Sequence, residues 1–233
     1  MSTFVHQNLT CHKCGSVFSA PLLKGMHITR IPQVRKTILD GTFQVFPCTY
    51  CSYPVQVERS SIYTDFEAGH YIAIEPTGHP NPKEMIHFHQ GVFDRCFIMG
   101  PSVAEELSHR MQPRLVFGLT ALREKLLCWD KGLDDRVLEI LKIDLIREKN
   151  WDRREVIIRL LGILGPGHLL FACYPRIRIQ PSQKHQQVDL PKPEEHITVL
   201  KKRYVSFLSR RAHNKDLAPW IYGDWLVDAS LGG

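Results

Sequence analysis

Apolar and polar positions alternate in "YPVQVER" (residues 53–59), where Val55 and Val57 flank Gln56, and this period of two predicts a half-buried strand. "FSAPLL" and "TFQVFP" read the same way. Between those two, "IPQVRKTILDG" changes to helical spacing, with Pro32 at the start, Val34, Ile38 and Leu39 on one face, and Gly41 as the stop. The Pro- and Gly-dense "EPTGHPNPKE" (75–84) predicts a turn or linker, and "MIHFHQGVFDRCFIMG" after it reads as strand. In "PSVAEELSHRM", Ser102 and Glu105 have the spacing of a capping box, which predicts a helix start. Helical spacing continues in "TALREKLLCWDKG", closed by Gly132, and in "DDRVLEILKIDLIREKN", where Asp134 can cap and Val137, Leu138, Leu141 and Leu145 share a face.

The β-branched run of "REVIIRLLGILGPGHLLFACYPRIRIQ", broken at Gly165-Pro166-Gly167, predicts strand, turn and strand, with a buried helix as the other reading of its apolar part. "LPKPEEHITVLKKRYVSFLSRR" reads as one helix, with Pro193 and two acids at its start and Ile197, Leu200, Tyr204 and Phe207 on one side. The expected fold class is α+β. A zinc-ribbon-like β-rich lobe over residues 1–80 would precede a mixed helix/strand lobe over 81–233, the two either separate or packed as one unit.

Composition narrows the class. A chain of 233 residues with 43% hydrophobic and 23% charged residues can bury a core without staples. No apolar run reaches bilayer length, and "MSTFVHQN" lacks the features of a signal peptide, so a cytoplasmic address without membrane contact is the expectation. The net charge of +6 permits an acidic partner without requiring one.

Seven cysteines in a reducing compartment do not read as a disulfide framework. Cys96, Cys128 and Cys173 stand alone in apolar surroundings and are expected to be small buried side chains. The other four form two pairs, Cys11-x-x-Cys14 and Cys48-x-x-Cys51, joined by a spacer with room for a hairpin and a helix. Two such turns supply the four thiolates that zinc takes in structural sites, so one Zn²⁺ per chain is expected. Gly15 suits the turn after the first pair; Ser52, at the matching place, suits it less well. A redox pair is the competing reading, but it calls for a strand-to-helix junction that neither pair displays. With all four positions filled by protein, the metal would be scaffold rather than catalyst.

These pairs and several later segments resemble the bacterial and archaeal CpXC family, whose domain carries two Cys-Pro-x-Cys motifs. "TCHKCGSVFSAPL", "ILDGTFQVFPCTYC" and "SSIYTDFEAGHYIAIEP" are similar to its N-terminal part. "LVFGLTALREKLLCWDKGLDDRVLEILKIDL" is similar to its middle, in which "EK" and "LDDR" precede an E-x-x-K helix, here Glu139 and Lys142. "DWLVD" is similar to its closing motif. Neither pair keeps the namesake proline: His12 and Thr49 stand there. The resemblance implies metal binding and this division of the fold, and names no activity.

Other groupings have plain readings. His87 and His89 are expected on one solvated strand face; a second metal site there, with His70, His79 or Asp94 as a third ligand, is the lesser reading. Glu124, Asp134, Asp135 and Glu139 could form a carboxylate cluster; more simply, Asp134 caps a helix and Asp135 complements its dipole, pairing with Arg123 or Arg136. Neither a phosphate-binding loop nor a serine nucleophile elbow is present. Basic residues gather at Arg147, Lys149, Arg153 and Arg154 around Trp151, at Arg176 and Arg178, and at Lys201, Lys202, Arg203, Arg210 and Arg211. The expected function is a non-enzymatic, zinc-stabilised binding or adaptor protein acting on a protein partner. A zinc-ribbon nucleic-acid binder using these basic segments is the alternative, and an enzyme built on the acids or histidines comes third.

Overall fold

The computed structural model describes residues 3–78, 81–176, 185–188, 192–223 and 225–230. The chain is mixed α+β, and its contacts divide it into two compact units, Met1–Leu119 with Ile179–Leu190, and Thr120–Arg178 with Pro191–Gly233.

In the first unit, β1 (Thr3–Thr10) and β2 (Val17–His27) form an antiparallel hairpin. Helix α1 (Pro32–Asp40) follows, starting at its proline, burying Val34 and Ile38, and ending at Gly41 in the left-handed conformation. The short β3 (Val45–Pro47) pairs with β4 (Pro54–Arg59), then come β5 (Ser61–Asp65) and β6 (His70–Glu75). Past α2 (Pro82–Phe93), a π-helical segment Asp94–Ile98 and α3 (Ser102–Ser108), strand β7 (Gln112–Phe117) returns to pair in parallel with β6. One sheet therefore runs β1-β2-β5-β6-β7. Residues 81–117, expected in the second lobe, lie in this first unit, because β7 completes the sheet that β6 leaves open. A later strand, β10 (His185–Val188), joins the unit by pairing with β4.

The alternation of β2 puts Phe18, Ala20 and Leu22 on one face. They pack with Leu9, Val55 and Val57 into a cluster that includes Cys11 and Cys48. The cysteine pairs thus close one end of a small apolar core.

In the second unit, α4 (Leu119–Asp130) and α5 (Asp135–Glu148) precede the hairpin of β8 (Val156–Leu164) and β9 (His168–Pro175). β11 (Glu195–Leu200) pairs with the other edge of β9 and leads directly into α6 (Lys201–Leu208), then α7 (Arg211–Leu217). Val137, Leu138, Leu141 and Leu145 of α5 pack on Ile158, Leu160, Leu169 and Phe171 of the hairpin.

Three expectations are corrected. "MIHFHQGVFDRCFIMG" is helical: Asn81 caps α2 by accepting from the Glu84 amide at 3.3 Å, while its own amide group donates to the Glu84 carboxylate at 3.0 Å. Ser102 does not cap α3, because Pro101 occupies the cap position and Ser102 is the first helical residue. Residues 195–200 form a strand; the competing alternation of Ile197 and Val199 buries both against β9, and the helix begins only at Lys201.

Candidate metal centre

The two cysteine turns are built alike. In each, the first cysteine's amide donates to the residue five positions on, Cys11 to Ser16 O and Cys48 to Tyr53 O, both at 2.9 Å. Its carbonyl accepts from the residue four positions on, Gly15 in one turn and Ser52 in the other, again at 2.9 Å. The repeated backbone frame aims all four sulfurs at one point. Every pair of Sγ atoms lies within 4.8 Å, with Cys11 to Cys51 at 3.5 Å and Cys14 to Cys48 at 3.7 Å. Zn–S bonds near 2.3 Å in a tetrahedron would set sulfurs about 3.8 Å apart. The Tyr50 amide points at Cys48 Sγ, at 3.5 Å, as a donor suited to a thiolate.

Left to themselves the thiols titrate apart. Cys14 is lowered to about 6, chiefly by hydrogen bonding with the Ser16 side chain and backbone. Cys51 keeps a lowering backbone hydrogen bond with Tyr53, yet burial and the neighbouring sulfurs push it up to about 12. Four sulfurs this close cannot all ionise without a cation, and a bound divalent ion deprotonates coordinating thiols outright. The donor set therefore fits a soft or borderline metal ion.

The fifth position of each turn is left-handed, at φ +72° for Gly15 and +57° for Ser52. Serine bears strain there that glycine does not. Ser52→Gly is expected to raise stability by up to about 1 kcal/mol. Gly15→Ala, which meets nothing within 4 Å, should lower it by about 1 kcal/mol through φ alone. Thermal melts of the two variants would check both signs.

A second constellation, not foreseen as a unit, lies inside the second compact unit. Glu124, Lys125, Asp135, Glu139, Lys142, Arg159 and Asp228 are each between 1% and 6% exposed. Lys142 Nζ donates to Glu124 and Glu139, both at 2.7 Å. Arg159 pairs with Glu124 at 3.2 Å and Asp228 at 3.1 Å, and Lys125 with Asp135 at 3.0 Å. Backbone groups add further contacts: the Ala229 amide donates to Glu139, the Leu160 amide to Glu124, and Lys125 donates to Val227 O. Asp134 caps α5 as expected, whereas Asp135 is a buried ion-pair partner of Lys125. Two signals for this network were present in the sequence. Lys142 interrupts the apolar face of α5, and Arg159 sits in the apolar run of β8.

Burial works against charge on Asp228, but Arg159, Lys142 and Ser230 hold its carboxyl well below the usual range. Its stabilising contribution is therefore complete above its ordinary value, about 3.9, and is lost as pH falls through the depressed folded value. Glu139 has the opposite sign: burial outweighs Lys142 and raises it, so its contribution is lost as pH rises through its folded value. Asp228→Asn is expected to reduce neutral-pH stability and flatten the acid limb of the second unit. Tryptophan fluorescence during acid titration reads this directly.

The histidine pair separates on α2. His89 is buried, with Nε2 2.7 Å from Glu75, while His87 is exposed and contacts the Lys83 carbonyl through Nδ1. They share no ligand face, because helical geometry turns residues two apart away from each other. His79 lies outside the described residues, and among the described residues only the four cysteines group as a metal set. Cys128 and Cys173 are buried as expected; Cys96 is exposed.

Part of the basic set is held in ion pairs. Arg154 pairs with Asp152, Arg203 with Asp144 and Glu148, and Lys149 with Glu195. Arg176 is half-buried and donates to the carbonyls of Arg153 and Ser230. Lys202, Arg153 and Arg210 are exposed and Lys201 is half-buried; Arg178 and the Arg211 side chain lie outside what is described.

The fold and site define a two-unit α+β protein whose first unit is closed by a tetracysteine cluster able to hold a metal ion. A family model described as CpXC protein matches residues 9–142, more than half of the chain, and the chain belongs to that family. The match takes in both cysteine turns and the Glu124, Lys125, Asp135, Glu139 and Lys142 side chains of the network. No curated protein and no solved structure matches the chain. No helix among the described residues is long and apolar enough to cross a membrane.

Proposed function

We propose that this chain is a non-enzymatic adaptor that binds another protein, with its first unit held by one structural Zn²⁺ on Cys11, Cys14, Cys48 and Cys51. The carrying observation is the closed sulfur set, all within 4.8 Å. Four protein ligands leave zinc no position for water or substrate. The acids that could have done acid–base work favour the same reading, since Glu124, Asp135 and Glu139 are buried in ion pairs.

A protein-binding surface is supported by the exposed apolar residues on the helices of the first unit. Phe88, Ile98 and Val103 lie on α2, the π-helical segment and α3, and Met99 directly follows the π-helical segment, with Met99 77% and Val103 68% exposed. Exposed apolar residues mark a contact surface where they gather in one patch, and these four come from one continuous stretch of the chain. The nucleic-acid alternative draws less support, because Arg154 and Arg203 already have acidic partners.

The test is affinity capture of the full chain in high salt, beside a Met99→Asp/Val103→Asp variant. A partner protein retained by the parent chain and lost by the variant is the expected result. Retention of nucleic acid that collapses between low and moderate salt, with no protein retained, would replace this reading with the alternative.

A further inference from the structure

The four sulfurs differ in access. Cys14 is exposed and Cys51 half-buried, whereas Cys11 is 1% and Cys48 2% exposed. All four sulfurs lie within 4.8 Å of one another, and two of the approaches run between the turns and join a reachable sulfur to a buried one: Cys14 with Cys48 at 3.7 Å, and Cys51 with Cys11 at 3.5 Å. That is the arrangement of a peroxidatic thiol beside a resolving thiol, present twice.

We propose that the clasp is a site of oxidation by hydroperoxides, with Cys14 taking the oxidant, Cys48 resolving it, and Cys51–Cys11 forming the second disulfide. The proposal rests on the reading of the cluster as a metal-thiolate site. In the first step the Cys14 sulfur attacks the peroxide: an S–O bond forms, the O–O bond breaks, and hydroxide leaves. In the second, Cys48 sulfur attacks Cys14 sulfur: the S–S bond forms, the S–O bond breaks, and a second hydroxide leaves. Two sulfurs have lost two electrons, and with two protons hydrogen peroxide has become two waters; a second equivalent of peroxide, attacked by the Cys51 sulfur and resolved by Cys11, forms the other disulfide by the same two steps. The metal keeps its charge, loses two of its four ligands and is released.

The pairing decides the structural consequence. Disulfides within the turns, Cys11–Cys14 and Cys48–Cys51, would free the β1–β2 hairpin from the β3–β4 hairpin. The cross-pairs instead tie residues 34 and 40 positions apart, so a covalent link replaces the metal across the same gap. Oxidation would then exchange one clasp for another, leaving the first unit folded without metal.

The experiment uses the full zinc-loaded chain carrying Cys96→Ser, which removes an exposed thiol outside the cluster. Hydrogen peroxide is titrated in while a chromophoric chelator reads zinc release. Timed alkylation and non-reducing peptide mapping then identify the sulfurs consumed. The expected course is loss of Cys14 and Cys48 first, a Cys14–Cys48 disulfide forming together with zinc release, and Cys11–Cys51 after it. Far-UV circular dichroism should persist until a reductant is added in the presence of chelator. A first product of Cys11–Cys14 or Cys48–Cys51, or unfolding on oxidation alone, would overturn the proposal. A chain that holds no zinc before peroxide is added contradicts the metal reading separately, and the disulfide map still decides the pairing.

Discussion

Cys48→Ser, or complete chelation of the parent chain, is expected to abolish cooperative folding of the first unit. The strands beside the second cysteine turn are short: β3 has 3 residues and β4 has 6. Their shared core with β2 is small, holding Leu9, Phe18, Ala20, Leu22, Val55 and Val57 beside the buried sulfurs of Cys11 and Cys48. Structural zinc contributes about 10–16 kcal/mol of apparent binding free energy in small zinc domains, all of it available to the folded state. That is as large as the whole stability of an ordinary domain, about 5–15 kcal/mol, so a core of this size should not survive its loss. Hydrogen exchange over β2 and β4 is the suitable measurement, with protection expected to vanish in the variant. Tryptophan fluorescence would miss the event, because Trp129, Trp151, Trp220 and Trp225 all belong to the second unit.

Lys142→Met should have the largest effect in the second unit. The ammonium bridges Glu124 and Glu139 at 2.7 Å each, all three side chains being almost fully buried. Burial alone would lower the Lys142 pKa, yet the two carboxylates outweigh it and raise it, so the group is a charged keystone in the folded state. Removing it takes from Glu139 its cation partner and leaves Glu124 with Arg159, and breaking a buried pair in this way typically costs about 3–5 kcal/mol. Replacing the network by apolar residues of similar volume is a different experiment, because it strands nothing. Lys142→Met/Glu139→Leu should therefore recover part of the loss suffered by Lys142→Met. Urea unfolding followed by tryptophan fluorescence separates the two cases. A single variant as stable as the parent would mean that water or a rearranged Arg159 compensates the carboxylates.

The sequence was most legible where a short signal decides a local geometry. CxxC spacing, the Pro32 and Gly41 boundaries of α1, and the Asp134 cap of α5 all appear in the structure where the residues place them. The α2 segment was misread because its apolar positions suit either period. Asn81, Pro82 and Glu84 carry the deciding information, and they lie in the Pro- and Gly-dense stretch that predicts a turn or linker. Residues 195–200 were misread for a reason outside the segment, since the open edge of β9 selects the two-residue period over the helical one. Of the ion network the sequence brings together only the acids Glu124, Asp135 and Glu139, and not their cations. Its members come from α4, α5, β8 and the segment after Trp225, and only tertiary folding brings Glu124 to Arg159 and Arg159 to Asp228. Ser52 is the reverse case: its misfit was visible in the sequence, and the backbone accepts the left-handed conformation nonetheless.

The central claim is that four thiolates close around one structural zinc ion, and metal analysis of the purified full chain tests it most directly. The expected result is close to one zinc per chain, absent from Cys11→Ser/Cys48→Ser, with the parent's first unit unfolding as a chelator removes the metal. A parent chain without stoichiometric metal, or one that keeps its full thermal stability after complete chelation, would contradict it.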